Sequence, residues 1–581
     1  MGYRILVCCK VALFTLVHFC SWVWSSGVVG QTPTDSSRYE IIPAPTHHSR
    51  FSSDTSFELG GRIVVVFPES HAAAFTHAWR VLKCVLRDLD WAKNSRPGED
   101  APRQILIGTY APGTLIGKLC AQDGVIPPPG KESYRLRVTS DRIYAVANTP
   151  RGILYAIHSL RQIFNQAKTV RFIRSLDIQD TPYYAFRAVC VGEGEYISSV
   201  LPDQPVRSPE QRWTELAEVL NRLCSYKLNT LYYSQEWHFV YSDVPENMEL
   251  LRRLRDMCAE RHIDVIPEFQ GLGHASGHAH RFPHYAEAVW HQDEPVILKG
   301  DVPIPLEHAN VVITKRTGIT VKDKSGRVVY DEGTDYRVIP GVTAYRFSPN
   351  NPRYKIARIP RGLIGDGQTV LVSYDAVGEY KWDPGYCPME REHLDAVERP
   401  RVHHYMGLFQ PEYISVSRDE TRILCLDSRC LDSGKSPSEL YAEDALRVVG
   451  YTQEMVPKPK VLIHYDMMQG GYTLARGMDY GHLRSLIPKW MIPVVWVYKE
   501  GDDGRREIRA HAQSLVAQGY NIIAGPSRGN SKNIDLWRRQ LGILTKTSRK
   551  SESIGYLFLG WSGTPYAWKT MAKAAWEPPP G

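Results

Sequence analysis

From about residue 185 to the end of the 581-residue chain, short apolar runs alternate with longer stretches whose apolar residues recur at helical spacing. Phe186–Val191, Asn229–Tyr233, Asp264–Pro267, Tyr413–Ser417, Val461–Tyr465, Pro493–Val497, Tyr520–Ala524 and Gly555–Leu559 each have the length and content of a buried strand. Each is followed by a helical pattern or by chain enough for one. Ser208-Pro209-Glu210-Gln211 opens the first helix, with serine as cap, proline in the first turn and glutamine reaching back. Leu216, Val219, Leu220 and Leu223 line its inner face. A second helix is predicted over Met248–Arg261. Ser436-Pro437-Ser438-Glu439 repeats the capping device before a helix through Val449. Strand–helix units in this number predict an α/β fold, a (β/α)8 TIM barrel over 181–581. A doubly wound sheet is the alternative, but no glycine-rich phosphate loop follows an early strand.

Two further regions break this rhythm. Residues 31–180 predict an N-terminal non-catalytic α/β domain, after a lead-in rich in Pro, Ser and Thr. It has strands at Arg62–Phe67, 104–107, Tyr134–Val138 and Arg142–Ala147, and a helix carrying Ile153, Ala156, Ile157, Leu160 and Phe164 on one face. Residues 296–384, between barrel strands 3 and 4, alternate apolar and polar (ITVKD, RVVYD, YRVI, TVLVSYD) around glycine turns. They predict a β-rich insertion within the barrel, leaving it on the face where barrel active sites sit.

Residues 1–30 read as a signal peptide. Arg4 and Lys10 precede the apolar run Val11–Trp24, and Val28-Val29-Gly30 supplies small residues before a polar stretch. The run is short against the roughly 20 residues of a membrane helix, so no stable membrane span is expected after cleavage. The expected location is secreted or periplasmic. Net charge is +7, but Lys and Arg form no block, which argues against a nucleic-acid partner. Beyond residue 30 the cysteines are Cys84, Cys120, Cys190, Cys224, Cys258, Cys387, Cys425 and Cys430. They are scattered with no CxxC, so neither a metal site nor a cofactor is expected. Cys425 and Cys430 are near enough in sequence for a bridge, which export would permit.

The candidate chemistry lies in Glu412–Glu420, EYISVSRDE, where two adjacent carboxylates, Asp419 and Glu420, follow a strand at the end that carries barrel active sites. Adjacent like charges push one acid toward keeping its proton. A protonated acid beside an ionised one suits glycosidic cleavage, one group protonating the leaving oxygen and the other stabilising positive charge. Exposed Asp-Glu pairs are common, and it is the strand-end position that sets this one apart. Tyr465, Trp496, Tyr498 and Trp561 lie near later strand ends, where aromatic faces can stack on sugar rings.

Ile414–Glu420 resembles the strand-plus-Asp-Glu motif of glycoside hydrolase family 20, the β-N-acetylhexosaminidases. Asp264–His274 (DVIPEFQGLGH) is similar to that family's third-strand motif ending in Gly-His, with Gln270 and Leu272 closer to the hexosaminidase-D-like branch. Leu228–Tyr232 resembles its second strand. Asp466-Met467-Met468, Trp496-Val497-Tyr498, Gly525-Pro526-Ser527 and Gly560-Trp561-Ser562 resemble its later strand ends, and residues 40–180 its α/β domain. The resemblance implies release of terminal N-acetylhexosamine (GlcNAc or GalNAc) from a glycan by retaining, substrate-assisted catalysis through an oxazolinium intermediate. It implies Glu420 as general acid and then base, and Asp419 as the group orienting the 2-acetamido arm. His274 is placed near the acid and Glu236 near an acidic position.

Three positions depart from the family pattern. Trp237 stands where an acid is expected. The first strand runs into Val191-Gly192-Glu193-Gly194-Glu195 where the family places a sugar-gripping arginine. Arg187 matches only an earlier arginine, leaving Glu193 or Glu195 to bind hydroxyls. Trp561-Ser562-Gly563 lacks the acid expected two residues past the tryptophan. These departures touch sugar recognition and keep two alternatives open: a catalytically impaired carbohydrate-binding protein on the same scaffold, or a glycosidase for another sugar.

Overall fold

The structure, a computed structural model, describes residues 38–49, 55–94, 103–192, 208–234, 245–378, 385–469, 477–547, 553–561 and 563–580. Residues 1–30, expected to be a signal peptide, and Glu193, Glu195, Glu236, Trp237 and Ser562 lie outside these residues. A first compact unit runs to Tyr183 and a second from Tyr184, with the short segments 224–227 and 260–262 grouping with the first.

The first unit is built on a seven-stranded mixed sheet, in the order 47–48, 176–180, 134–138, 142–147, 104–109, 63–66, 91–94. The hairpin 134–138/142–147 is antiparallel, and 142–147, 104–109 and 63–66 run parallel. Its long helix, Pro150–Ala167, begins where the Thr149 side chain accepts the Gly152 N–H and proline occupies the first turn. Ile153, Ile157, Leu160 and Phe164 on one face of it are buried.

In the second unit eight parallel strands run β1 (Phe186–Gly192), β2 (Thr230–Ser234), β3 (Asp264–Pro267), β4 (Tyr413–Ser415), β5 (Lys460–His464), β6 (Ile492–Trp496), β7 (Ile522–Gly525) and β8 (Ser553–Phe558). They pair in the order β3-β2-β1-β8-β7-β6-β5-β4. The ring closes where β3 meets β4, through the Phe269 N–H to Ser415 carbonyl bond (2.7 Å) and the parallel bridge Glu268–Ser415. Helices follow in turn: α1 (Pro209–Ser225), α2 (Pro245–Ala259), α3 (Arg391–Phe409), α4 (Pro437–Gln453), α5 (Tyr480–Leu486), α6 (Gly501–Ala517), α7 (Ser531–Thr547) and α8 (Trp568–Trp576). This is a (β/α)8 barrel. Both capping boxes form: Ser208 and Gln211 exchange bonds of 3.0 and 3.2 Å, and Ser436 and Glu439 exchange bonds of 2.9 and 3.3 Å.

Side-chain parity fills the barrel. Phe186, Ala188, Leu462, Val494, Ile523 and Leu557 pack together as its apolar interior. Strand β4 stops at Ser415, two residues short of the sequence expectation, because Ser417 and Arg418 turn into the left-handed region (φ 48° and 66°). Helix α3 carries Pro400 inside it, a residue that disfavours a helical reading.

Between β3 and α3 lie two antiparallel sheets. One joins Val289–Leu298, Gln368–Ala376, Thr320–Asp323 and Val329–Tyr330, with Val311–Val312 beside Gln368–Ala376; the other joins Ile304–Pro305, Lys355–Arg358 and Tyr336–Ile339. Val296, Leu298, Val321, Ile356 and Val372 share one buried core. The first strand begins seven residues ahead of the expected 296, because His291-Gln292-Asp293 hides it behind a polar stretch and a bulge. No helix among the described residues is long and apolar enough to cross a membrane.

Candidate active site

The polar residues of the site continue the inward-facing parity of the barrel strands at their C-terminal ends. On β2 it runs from Tyr232 to Ser234, on β3 from Ile266 to Glu268, on β5 from Leu462 to His464. Glu268 is buried and accepts from Ser234 Oγ (2.7 Å) and Gln270 Nε2 (3.1 Å). The Tyr232 hydroxyl lies 2.6 Å from Glu268 Oε1, 2.9 Å from Ser415 Oγ and 3.1 Å from His464 Nε2. A floor of bonded polar groups thus spans β2, β3, β4 and β5.

Above it the chain turns sharply to present Asp419 and Glu420. Ser417, Arg418 and Glu420 all have positive φ, which side chains other than glycine adopt only when the surroundings enforce it. Arg418 supplies the enforcement. Its buried guanidinium donates to Asp444 Oδ2 (2.7 Å), the Phe269 carbonyl (2.5 Å), the Val416 carbonyl (3.0 Å) and the Tyr386 hydroxyl (3.1 Å). The glycines of the third-strand motif make room. A Cβ on Gly273 would lie 2.1 Å from the Asp419 carbonyl oxygen, and one on Gly271 would lie 2.7 Å from the Arg418 guanidinium carbon. The Gly-Leu-Gly-His sequence therefore lets one backbone lie directly against the other.

The two acids share His274, whose Nε2 is 3.8 Å from Asp419 Oδ2 and 3.6 Å from Glu420 Oε2. His464 Nδ1 approaches Asp419 Oδ2 from the β5 side at 3.6 Å, and Ser417 Oγ donates to Asp419 Oδ1 at 2.6 Å. Burial works to raise the Asp419 pKa, but His464, His274 and the serine hydroxyl outweigh it and hold the group below the ordinary carboxylate value. Glu420 pairs with Arg422 at 3.2 Å. Its backbone N–H donates to Asp466 Oδ2 (2.8 Å). Burial, with the Asp419 charge beside it, pushes the Asp466 carboxyl up to about 7. Repulsion between neighbouring acids, expected within the Asp-Glu pair, thus falls on a third carboxyl.

The remaining expected residues divide. Trp496 is packed with the barrel interior, its ring stacked on Tyr498 (centroids 5.3 Å, 15°), and Tyr498 meets half-exposed Trp561 edge-on at 5.6 Å. These three form an aromatic group at the C-terminal ends of β6 and β8. Tyr465 does not join them. It has the opposite parity to His464, is buried, and meets His511 of α6 edge-on at 5.5 Å outside the barrel. Arg187 is also a correction. It sits at the N-terminal end of β1, wholly buried, donating to the Tyr184 and Ala185 carbonyls and lying over the Trp576 ring. Sequence reasoning missed His464, Asp466, Ser417 and Arg418 as site residues. The signal for His464 was present, since counting alternate residues from Leu462 turns His464 inward and Tyr465 outward. The bridge between Cys425 and Cys430 does not form; none of the eight described cysteines is in a disulfide, and Cys425 Sγ lies 3.7 Å from the Lys435 carbonyl.

An α/β first unit followed by a (β/α)8 barrel with paired acids after β4 defines a class of two-part barrel proteins, and comparison with known proteins gives the family. Residues 38–181 match the family described as Glycosyl hydrolase family 20, domain 2. A Beta-N-acetylhexosaminidase of Cellulomonas fimi is 23% identical over 225 residues, covering 32% of this chain and 42% of that relative; the match therefore spans less than half of the relative's length. The whole fold is similar to a GH20 Exo beta-N-Acetylglucosaminidase from Vibrio harveyi solved in complex with N-acetylglucosamine (TM-score 0.55, 13% identity, 94% of this chain and 75% of that one). It is similar also to a beta-N-acetylhexosaminidase from Bacteroides fragilis (TM-score 0.53, 13% identity, 92% and 90%). Residues 38–181 are thus matched to a domain of glycoside hydrolase family 20, and the fold of the chain is similar to that of solved members of that family.

Two predictions follow from the geometry. Gly273→Ala drives a methyl group into the Asp419 backbone and should destabilise the second unit by about 1–3 kcal/mol, seen as a lower unfolding midpoint. Asp466 holds its proton in the folded state up to about pH 7, against about 3.9 unfolded. Its contribution to stability is therefore fully present below about pH 4 and is lost as the pH rises toward 7. Asp466→Asn removes that dependence. Wild-type stability relative to the variant should fall across this window, by at most about 1.4 kcal/mol per pH unit, and level off above it in a pH series of unfolding midpoints.

Proposed function

We propose that this protein is an exported glycoside hydrolase that releases terminal N-acetylhexosamine, GlcNAc or GalNAc, from glycans by a retaining, substrate-assisted reaction. The observation carrying this reading is that Asp419 is held ionised beside Glu420 at a barrel strand end, with His274 touching both. In the reaction the sugar's own 2-acetamido oxygen attacks the anomeric carbon. Glu420 protonates the departing glycosidic oxygen, and an oxazolinium intermediate forms. Asp419, as the anion, accepts the acetamido N–H and balances the positive charge that grows on the ring. Glu420, now ionised, takes a proton from water as the water opens the intermediate, giving retained configuration. An intramolecular nucleophile has a high effective concentration, so the chain need not supply one of its own. Trp496, Tyr498 and Trp561 offer apolar faces to the sugar. The names of the relatives, which are N-acetylhexosaminidases and N-acetylglucosaminidases, favour the same sugar class. Export rests on the leader-like pattern of residues 1–30.

The reading is tested with aryl N-acetylglucosaminide and N-acetylgalactosaminide. Wild type should cleave at least one, and Glu420→Gln should lose about two to four powers of ten in turnover. Inertness of the wild type toward both, or equal rates for the variant, overturns it; rapid cleavage of a hexoside lacking the acetamido group would indicate another mechanism. His464→Gln removes one group that keeps Asp419 ionised. The acid limb of its pH–rate profile should move to higher pH.

A further inference from the structure

Downstream of the catalytic pair the chain folds into a second cluster of reactive side chains. Glu287, Cys387, Asp427 and Cys430 are all buried, and one ligand-type atom from each lies within 4.8 Å of every other. Cys387 Sγ is 3.4 Å from Cys430 Sγ and 3.6 Å from Asp427 Oδ1, and Cys430 Sγ is 3.5 Å from Glu287 Oε2. The edge of a tetrahedron is about 1.63 times its radius. With metal–sulfur and metal–oxygen bonds of roughly 2.0–2.3 Å, the expected edges are about 3.3–3.8 Å. The two sulfur–oxygen edges match the roughly 3.5 Å expected of mixed ligands, and the sulfur–sulfur edge is shorter than the roughly 3.75 Å that two thiolates on one ion span, so the sulfurs part slightly on binding.

We propose that Cys387, Cys430, Asp427 and Glu287 form a closed structural site for one divalent ion of the zinc class. Two thiolates select a borderline-soft ion over magnesium or calcium, and four protein ligands leave no open position for chemistry. Binding releases the two thiol protons and the Glu287 carboxyl proton to solvent. No redox change is involved.

The surroundings orient the ligands as a second shell does. Arg429 grips Asp427 Oδ2 through Nη2 (2.6 Å) and Nε (3.1 Å), and the Cys430 N–H donates to Asp427 Oδ1 (3.0 Å). The Leu426 N–H donates to Glu287 Oε1 (3.1 Å), leaving Oε2 toward the sulfurs. Without an ion the pocket is filled with protons: burial lifts the Cys387 thiol to about 12 and, with the Asp427 charge, the Glu287 carboxyl to about 8. A Cys387–Cys430 disulfide is the competing structure. It would require the sulfurs to close to about 2.05 Å, and it would remove the thiol donors that face Asp427 and Glu287. An ion satisfies all four groups at once.

The site joins three separate stretches: Glu287 just before the insertion, Cys387 just after it, and Asp427 and Cys430 in the chain that leaves Glu420. An ion would fix that chain. The test uses the full protein expressed with added zinc and measures bound metal after exhaustive dialysis. About one equivalent per chain is expected, falling to background in a Cys387→Ser/Cys430→Ser variant. Cobalt exchanged into the wild type should give a thiolate-to-cobalt charge-transfer band, a readout that stands even if the variant does not fold. Metal-free wild type with no cobalt band overturns the proposal. So does alkylation of unfolded, unreduced protein that leaves Cys387 and Cys430 unmodified and joined.

Discussion

The arrangement of the acids depends on one buried cation, Arg418. A strand that simply ended would leave its following residues extended and its carboxylates aimed along the barrel axis or away from it. Here the backbone is bent through successive left-handed residues, and the guanidinium ties the bend to the third strand, to its own strand and to Asp444. Asp444 is held in turn by Arg447 (2.6 Å), so the anchor extends into α4. Breaking one member of such a buried pair strands the other charge, at a cost of about 3–5 kcal/mol. Strain at the acids is thus sustained by interactions well below them.

The electrostatics of the site follow from where protons are held. Two imidazoles and a serine favour the Asp419 anion. Burial of Asp466, reinforced by that anion, makes a second charge there unfavourable. Glu420 sits between these, with its side chain toward Arg422 and its backbone bonded to Asp466. The acids are differentiated by surroundings drawn from β3, β4 and β5, although Asp419 and Glu420 are adjacent in the chain. Such separation of roles among carboxyls is the pattern found where one acid donates a proton and another stays ionised.

Much of the barrel was legible because buried strands and capped helices leave strong local signals. Ser436-Pro437-Ser438-Glu439 is one such signal, read as a helix start and folded as one. The Asp419-Glu420 pair was legible for a different reason: its position after an apolar strand sets it apart from surface acids. What escaped were features made by tertiary approach. Arg418 reads as a surface charge until Asp444, 26 residues on, is brought beside it. Pro400 obscured α3 because proline argues locally against a helix that packing nonetheless sustains. Arg187 and Tyr465 were misplaced for a geometric reason. Each lies on or beside a barrel strand, but one is at the wrong end and the other has the wrong parity.

The β-rich insertion touches the chain that leaves Asp419 and Glu420 at several points. The Trp290 N–H donates to the Leu426 carbonyl, the Ala288 N–H to Asp427, and the Ser428 N–H to Asp375. Residues at both ends of the inserted sheet therefore fix three consecutive positions downstream of Glu420. Grafting a relative's module in its place would transplant an abutment along with it, and trimming the module away would leave a hinge where the native protein has a clamp. Among homologous barrels, length variation here is better tracked as covariation with residues 426–428 than as drift in an isolated ornament.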